Sequence, residues 1–382
     1  MIPITIIISA YNKSEGLRIL LNSLRKVQCD QKVDLVISID NLGTKEVNEL
    51  ANSFEWHLGK KEVIIHEYKL GLINHFIWIG DQTEKYEHVL FLEDDFLVSP
   101  QILNYTLQVI PFYENDERIA GCSFYNPPFT LSGLIYDKLV DSYDNFFYQH
   151  PYWGNVWFKN KWKQFKSYYE TYKAKDEILP LSVRQWRTGS FKRVFIQYLI
   201  ETNRTIVFPR NSLVTNLGLP GLHSKEGIDY VQVPIDIQLS PKQYRFSTFD
   251  ESYVKYDAYE EIYPEIIKHF NKSLQSYDFD VDTKHNRDYF NKNYVLTTRY
   301  AVDPLITYSI SFKPYEYNVL LDSRGEGLRF CNIENVIKTK NNVGFLIWHC
   351  VRSHSPIDST KFISIEVKRL LKRFFKRLFH VK

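Results

Sequence analysis

The chain has 382 residues, 44% of them hydrophobic and 24% charged, with a formal net charge of +3 at neutral pH. That is the composition of a globular protein long enough to bury a large core, and it excludes both a disordered chain and a short module. Aromatic residues reach 16%, an ordinary signature of an aromatic core. The four cysteines, Cys29, Cys122, Cys331 and Cys350, form no CxxC pair, so neither a zinc site nor a disulfide framework is indicated and a reducing compartment fits.

The N-terminus enters an apolar run at once, without the basic region and apolar core of an export signal, and predicts no export. No uncharged apolar run approaches the roughly 18 residues that span a bilayer. Ile2 to Ala10 read as a buried strand, followed by the loop Ser9-Ala10-Tyr11-Asn12-Lys13 and a helix through Leu17, Leu20, Leu21 and Leu24. A second strand, Val33 to Ile39, ends at Asp40 and precedes a helix with Val47 and Leu50. A third, Val63 to His66, precedes a helix through Phe76, Ile77 and Ile79. The alternation of strand and helix predicts an α/β fold with parallel strands, right-handed crossovers and a ligand site outside the strands' carboxyl ends.

The fourth strand is the informative one. Val89-Leu90-Phe91-Leu92 is apolar throughout, then breaks into Glu93-Asp94-Asp95 before apolar sequence resumes at Phe96-Leu97-Val98-Ser99-Pro100. Three acids at the end of a buried strand repel one another and lose water, so they take up protons or gather round a cation. Oxygen-only ligation suits Mg²⁺ or Mn²⁺, which keep open positions for water and for the oxygens of a diphosphate.

On these segments, Ile2 to about Gly227 resembles a GT-A glycosyltransferase of the N-acetylglucosaminyltransferase I type, and also the bacterial family-2-like polysaccharide glycosyltransferases. The resemblance implies a Rossmann-like βαβ nucleotide-binding half with a mixed central sheet. It further implies that Asp95 ligates the metal bridging the donor diphosphate, that Glu93 and Asp94 touch donor sugar and ribose, and that Asp40 holds the uridine. Ser9, Ala10 and Tyr11 would line the donor site from the first strand.

A helix through Leu103, Leu107 and Ile110, a strand at Ile119 to Tyr125 and a turn at Asn126-Pro127-Pro128 continue the same domain. Trp153 and Trp157, in Tyr148 to Phe158, match the family's aromatic-Gly-aromatic stretch, and either stack on sugars or pack in the core. Trp162 to Leu199 suggest helices walling an acceptor cleft. Where the family carries a basic Asp just before a Trp, this chain has Gln185-Trp186, and glutamine is no base. Either Asp176 or Glu177 is the base, or Glu226 or Asp229 in or just after the next loop supplies it, or the reaction is not a simple inversion. That loop, Asn211 to Gly227, holds Gly218, Gly221 and Gly227, which permit movement, and His223, a candidate for the donor phosphate or metal.

Tyr230 to Ile237 read as a strand and Tyr259 to Phe270 as a helix. Residues 1–237 are thus expected to form the catalytic domain and 238–358 an extension or small appended domain. Residues 359–382 form a basic amphipathic segment. Ile363, Val367, Leu370, Leu371, Phe374, Phe375 and Leu378 fall on one helical stripe, with Lys and Arg on the other face. From Lys361 to the end the charge is +7 of a whole-chain +3, leaving the remainder at −4. Basic character confined to the tail predicts an anionic membrane surface as partner, on the cytoplasmic face, and no nucleic acid.

The expected activity is metal-dependent transfer of a sugar from a nucleotide donor, a UDP-sugar, to a hydroxyl of a free or lipid-linked glycan acceptor, in bacterial surface polysaccharide synthesis. Two alternatives stand beside it. A nucleotidyltransferase would need a Gly-rich basic loop after the first strand, and Ser9 to Gly16 is not one. A catalytically dead, membrane-associated glycan-binding protein draws its support from Gln185.

Overall fold

The computed structural model describes residues 1–131, 133–220 and 230–337. His223, Glu226, Asp229 and the basic tail therefore lie outside the described residues. The first quarter runs β1 (Ile4–Ala10), α1 (Ser14–Leu24), β2 (Asp34–Ile39), α2 (Lys45–Ser53), β3 (Lys61–Ile65), α3 (Gly71–Asp81), a single turn α4 (Thr83–Tyr86) and β4 (His88–Glu93). There follow β5 (Phe96–Val98), α5 (Ile102–Tyr113), β6 (Ile119–Ser123), β7 (Asn145–Tyr148), β8 (Asn155–Phe158), α6 (Lys159–Glu170), the short α7 (Leu181–Arg184), α8 (Phe191–Glu201), β9 (Thr205–Pro209) and β10 (Val214–Asn216). The last part holds β11 (Lys255–Tyr256), α9 (Pro264–Phe270), β12 (Phe279–Asp282), β13 (Tyr294–Thr297), β14 (Ile306–Tyr308), α10 (Glu316–Leu320) and β15 (Leu328–Asn332).

The central sheet is mixed, with strand order β11-β7-β9-β6-β8-β4-β1-β2-β3. Strands β3, β2, β1 and β4 are parallel, whereas β8 runs antiparallel to both β4 and β6. The apolar runs explain why this sheet is covered on both faces. Successive residues of a strand point to opposite sides. Ile6, Ile8, Leu35, Ile37, Leu90 and Leu92 accordingly enter one core, and Ile7, Val36, Val89 and Phe91 the other. The α/β fold with a mixed central sheet and a parallel half is as the sequence implied.

Two expectations change. Residues 230–237 are not a strand: they make one isolated bridge, Ser212 to Ile235, and Pro234 has no N–H for a ladder. The helix expected from Tyr259 begins only at Pro264, whose fixed φ suits the first helical position, after Glu260 has taken φ +72°. Gln101, just before α5, and Tyr113 at its end hold the backbone beyond residue 237: Gln101 Nε2 donates to the carbonyls of Gln238 and Ser240, and Tyr113 Oη to that of Ser247. Strand β11 then adds to the main sheet beside β7. The four-stranded sheet β12-β13-β15-β14 shares a single core with the central sheet through Tyr256, Phe279, Leu296 and Phe330.

Candidate active site

The carboxyl ends of β1, β2 and β4 lie side by side, with Ser9 opposite Ser38 on one flank and Glu93 on the other. Asp94 and Asp95 form the turn that carries the chain from β4 into β5. The loop after β1 folds over them. Tyr11 N donates to Asp94 Oδ2 at 3.1 Å, and Lys13 Nζ lies 2.6 Å from Asp95 Oδ2. Helix α1 starts against this turn: a Cβ at Gly16 would lie 2.4 Å from the Asp94 carbonyl oxygen and 3.1 Å from Asp95 Cα, so the first turn needs glycine there. Ala10 is buried, and its carbonyl accepts from Asp40 N at 2.9 Å.

Asp40 is buried at the end of β2, and its two oxygens accept the Leu70 and Gly71 amides at 2.7 and 3.0 Å, tying β2 to the start of α3. Behind it, Ser38 Oγ contacts His66 Nε2 at 3.0 Å and His75 Nε2 at 2.7 Å. Burial draws the His75 imidazole down to about 4 against the pull of Asp40, so it is neutral at physiological pH.

Glu93 lines a small pocket together with Phe76, Tyr152, Asn155, Trp157 and Lys192. Burial, and then the charge of Asp95, push Glu93 up to about 8. The same two causes push Asp94 up to about 7. Burial lowers Lys192, although Glu93 and Asp95 oppose it. For Lys13 burial also disfavours the charge, but Asp95 outweighs it and the ammonium is held above its usual range.

Trp153 is half-buried, edge-on to Tyr125 at 4.7 Å, with Lys192 Nζ 5.0 Å from its ring centroid. Trp157 is a core residue, packed against Trp162 and Phe195. Asp176 and Glu177 are exposed on a short 3-10 turn, and neither lines the pocket under Glu93. Asp176 is paired with the buried Arg193 guanidinium, which also donates to the carbonyls of Val183, Arg184 and Trp186. Gln185 is exposed at the end of α7.

The residues that sequence reasoning missed are Lys192, Gly16 and the role of Lys13. Lys13 stood inside a quoted motif, but its contact with an acid 82 positions away has no local signal. A further tie was also hidden: Leu217 N donates to the Asp95 carbonyl at 2.8 Å, so the loop toward residues 221–229 starts from the acidic turn itself.

Among the described residues no group of three or more His, Cys, Asp or Glu is placed to hold a metal by itself. Asp95 Oδ1, however, is buried without a hydrogen-bond partner. One carboxylate with an orphaned oxygen fits a hard cation that completes its shell with phosphate oxygens and water.

No family model matches the chain, and no curated protein matches it. Among solved structures it is similar to S. aureus TarS 1-349 in complex with UDP-GlcNAc, at 15% identity and TM-score 0.37 over 58% of this chain and 60% of that one. A second is the mannosyltransferase PcManGT from Pyrobaculum calidifontis in complex with GDP-Man and Mn²⁺, at 13% identity and TM-score 0.30 over 41% and 44%. A third is a cytidylyltransferase from Leptospira borgpetersenii, at 13% identity and TM-score 0.30 over 53% and 73%. Overlaps of this size say nothing of this chain's substrate.

Proposed function

We propose that the chain is a metal-dependent glycosyltransferase moving a sugar from a nucleotide-sugar donor, a UDP-sugar, to a hydroxyl of a glycan acceptor in bacterial surface polysaccharide synthesis. The observation that supports it is the meeting of Glu93, Asp94 and Asp95 with Lys13 at the carboxyl edge of a parallel β-sheet, where open α/β sheets bind ligands. Asp95 would hold Mn²⁺ or Mg²⁺, which when bound offsets the charge developing on the departing diphosphate. Asp94 and Glu93 take ribose and sugar hydroxyls. A carboxylate accepts hydrogen bonds from the hydroxyls of neutral polyols. Ser9, Ala10 and Tyr11 flank the nucleotide, Asp40 holds its base and Trp153 borders the sugar. His223 belongs to the donor side, and the general base is sought among Asp176, Glu177, Glu226 and Asp229.

The test is a thermal-shift screen of nucleotide sugars with Mn²⁺ or with chelator. A UDP-sugar at 100 times its dissociation constant is expected to stabilise the protein by about 2.7 kcal/mol, and only with metal. Absence of any shift with every nucleotide sugar, with or without Mn²⁺, would sink the donor assignment.

The tail is proposed as a peripheral anchor on the inner face of the cell membrane. Among the described residues no helix is long and apolar enough to cross a membrane. Apolar burial at the headgroup boundary and about 1 kcal/mol per basic residue near an anionic surface act together. Truncation after Ser359 is expected to abolish co-sedimentation with anionic vesicles and to spare turnover of water-soluble acceptors. Equal sedimentation of full-length and truncated protein would remove the anchor.

A further inference from the structure

We propose that Lys13 is a resident counter-ion of Asp95 that a divalent cation must displace, so that metal binds strongly only together with a nucleotide diphosphate, whose phosphates then take the released ammonium. The inference rests on the donor reading above and deepens it by naming the order of charge exchange at the diphosphate subsite.

The geometry is specific. Lys13 Nζ sits 2.6 Å from Asp95 Oδ2, while Asp95 Oδ1 is buried without a hydrogen-bond partner. An ammonium on one oxygen and a divalent cation on the other would be two like charges within a few ångströms, in a turn that has lost most of its water. The carboxylate therefore serves one cation or the other.

The exchange needs no change of backbone. The loop that carries Lys13 is fixed at both ends, by Tyr11 N on Asp94 Oδ2 and by the close approach of Gly16 to the Asp94 carbonyl. The Lys13 side chain itself is 27% exposed against 11% for Asp95, so its four-carbon stem has a path outward by rotation alone.

Local charge makes the exchange conditional on the nucleotide. Lys13 Nζ already neutralises Asp95 at 2.6 Å, and the Lys192 ammonium lines the same pocket as Glu93. That balance offers a free divalent ion little net attraction. A diphosphate arriving at the same edge adds negative charge, which holds the metal and gives the released ammonium new acceptors.

The experiment titrates Mn²⁺ alone into the full chain, following the free-ion paramagnetic resonance signal, and repeats the titration with UDP present. In the wild type UDP is expected to tighten Mn²⁺ binding by more than about tenfold. Lys13→Gln should bind Mn²⁺ alone about tenfold more tightly than wild type, and should gain much less from UDP. Lys13→Arg, which keeps the charge, should resemble wild type in Mn²⁺ alone. Asp95→Asn should abolish the Mn²⁺ site in both the wild-type and the Lys13→Gln background. Equal affinity of wild type and Lys13→Gln for Mn²⁺ alone would overturn the displacement. If UDP changes nothing in any variant, the donor assignment fails instead, and the Mn²⁺-only comparison still judges Lys13.

Discussion

Asp95→Asn is expected to lower sugar transfer by about 10²–10³-fold and to remove its dependence on Mn²⁺. The substitution keeps the volume of the side chain and one carbonyl-type acceptor, but it takes away the negative charge that a hard cation requires. The local fold should survive it. The Asp95 backbone carbonyl still accepts Leu217 N, Asp94 still accepts Tyr11 N, and Gly16 still packs on the turn. Lys13 loses its partner and remains next to Asp94, which gives the variant a site that is cationic where the wild type is balanced. The measurement is turnover against Mn²⁺ concentration for both proteins, with unfolding curves to exclude a stability effect. Full Mn²⁺-stimulated turnover in the variant would show that the diphosphate cation is held elsewhere.

The parts of this architecture legible in the sequence are those fixed by local pattern. Mostly apolar runs gave β1, β2 and β4 because strands buried on both faces are filled chiefly by apolar side chains, and the abrupt change at Glu93 marked where β4 leaves the core. What escaped were relations between segments far apart in the chain. Nothing near Lys192 signals that it faces Glu93, since α8 reads as an ordinary amphipathic helix. A two-residue strand such as β11 has no periodicity to detect, yet it is what attaches the segment after residue 237 to the central sheet. Trp153 and Trp157 are both tryptophans flanking one glycine, and the sequence could not separate them. Only Trp157 lies on β8, where an inward side chain is buried, whereas Trp153 precedes Gly154 at φ +66° and stays at the edge.

The second large effect concerns a buried ion triad within the last third of the chain. Lys284 Nζ lies 3.3 Å from Glu261 Oε2 and 3.0 Å from Glu316 Oε1, and the three side chains are only 12%, 1% and 6% exposed. Burial disfavours the Lys284 charge, but Glu261 and then Glu316 outweigh it and hold the ammonium protonated well beyond the usual lysine range. Lys284→Met keeps the apolar stem and removes the cation, which leaves two buried carboxylates facing each other. Breaking a buried pair in this way costs about 3–5 kcal/mol.

The sign of the pH dependence follows from the proton that the variant must hold. A carboxylate whose folded-state affinity for a proton is raised contributes its relief only at low pH and loses it as pH rises, so the deficit of Lys284→Met should widen from pH 5 to pH 8. The wild type keeps its ammonium over that whole range, because its folded pKa is raised, and it should show no matching loss from this site. Urea unfolding of wild type, Lys284→Met and Lys284→Met/Glu316→Gln at both pH values checks this, and the added Glu316→Gln should recover part of the loss at pH 8. A deficit below about 1 kcal/mol at pH 8, as for an exposed ion pair, would mean that water reaches these three side chains.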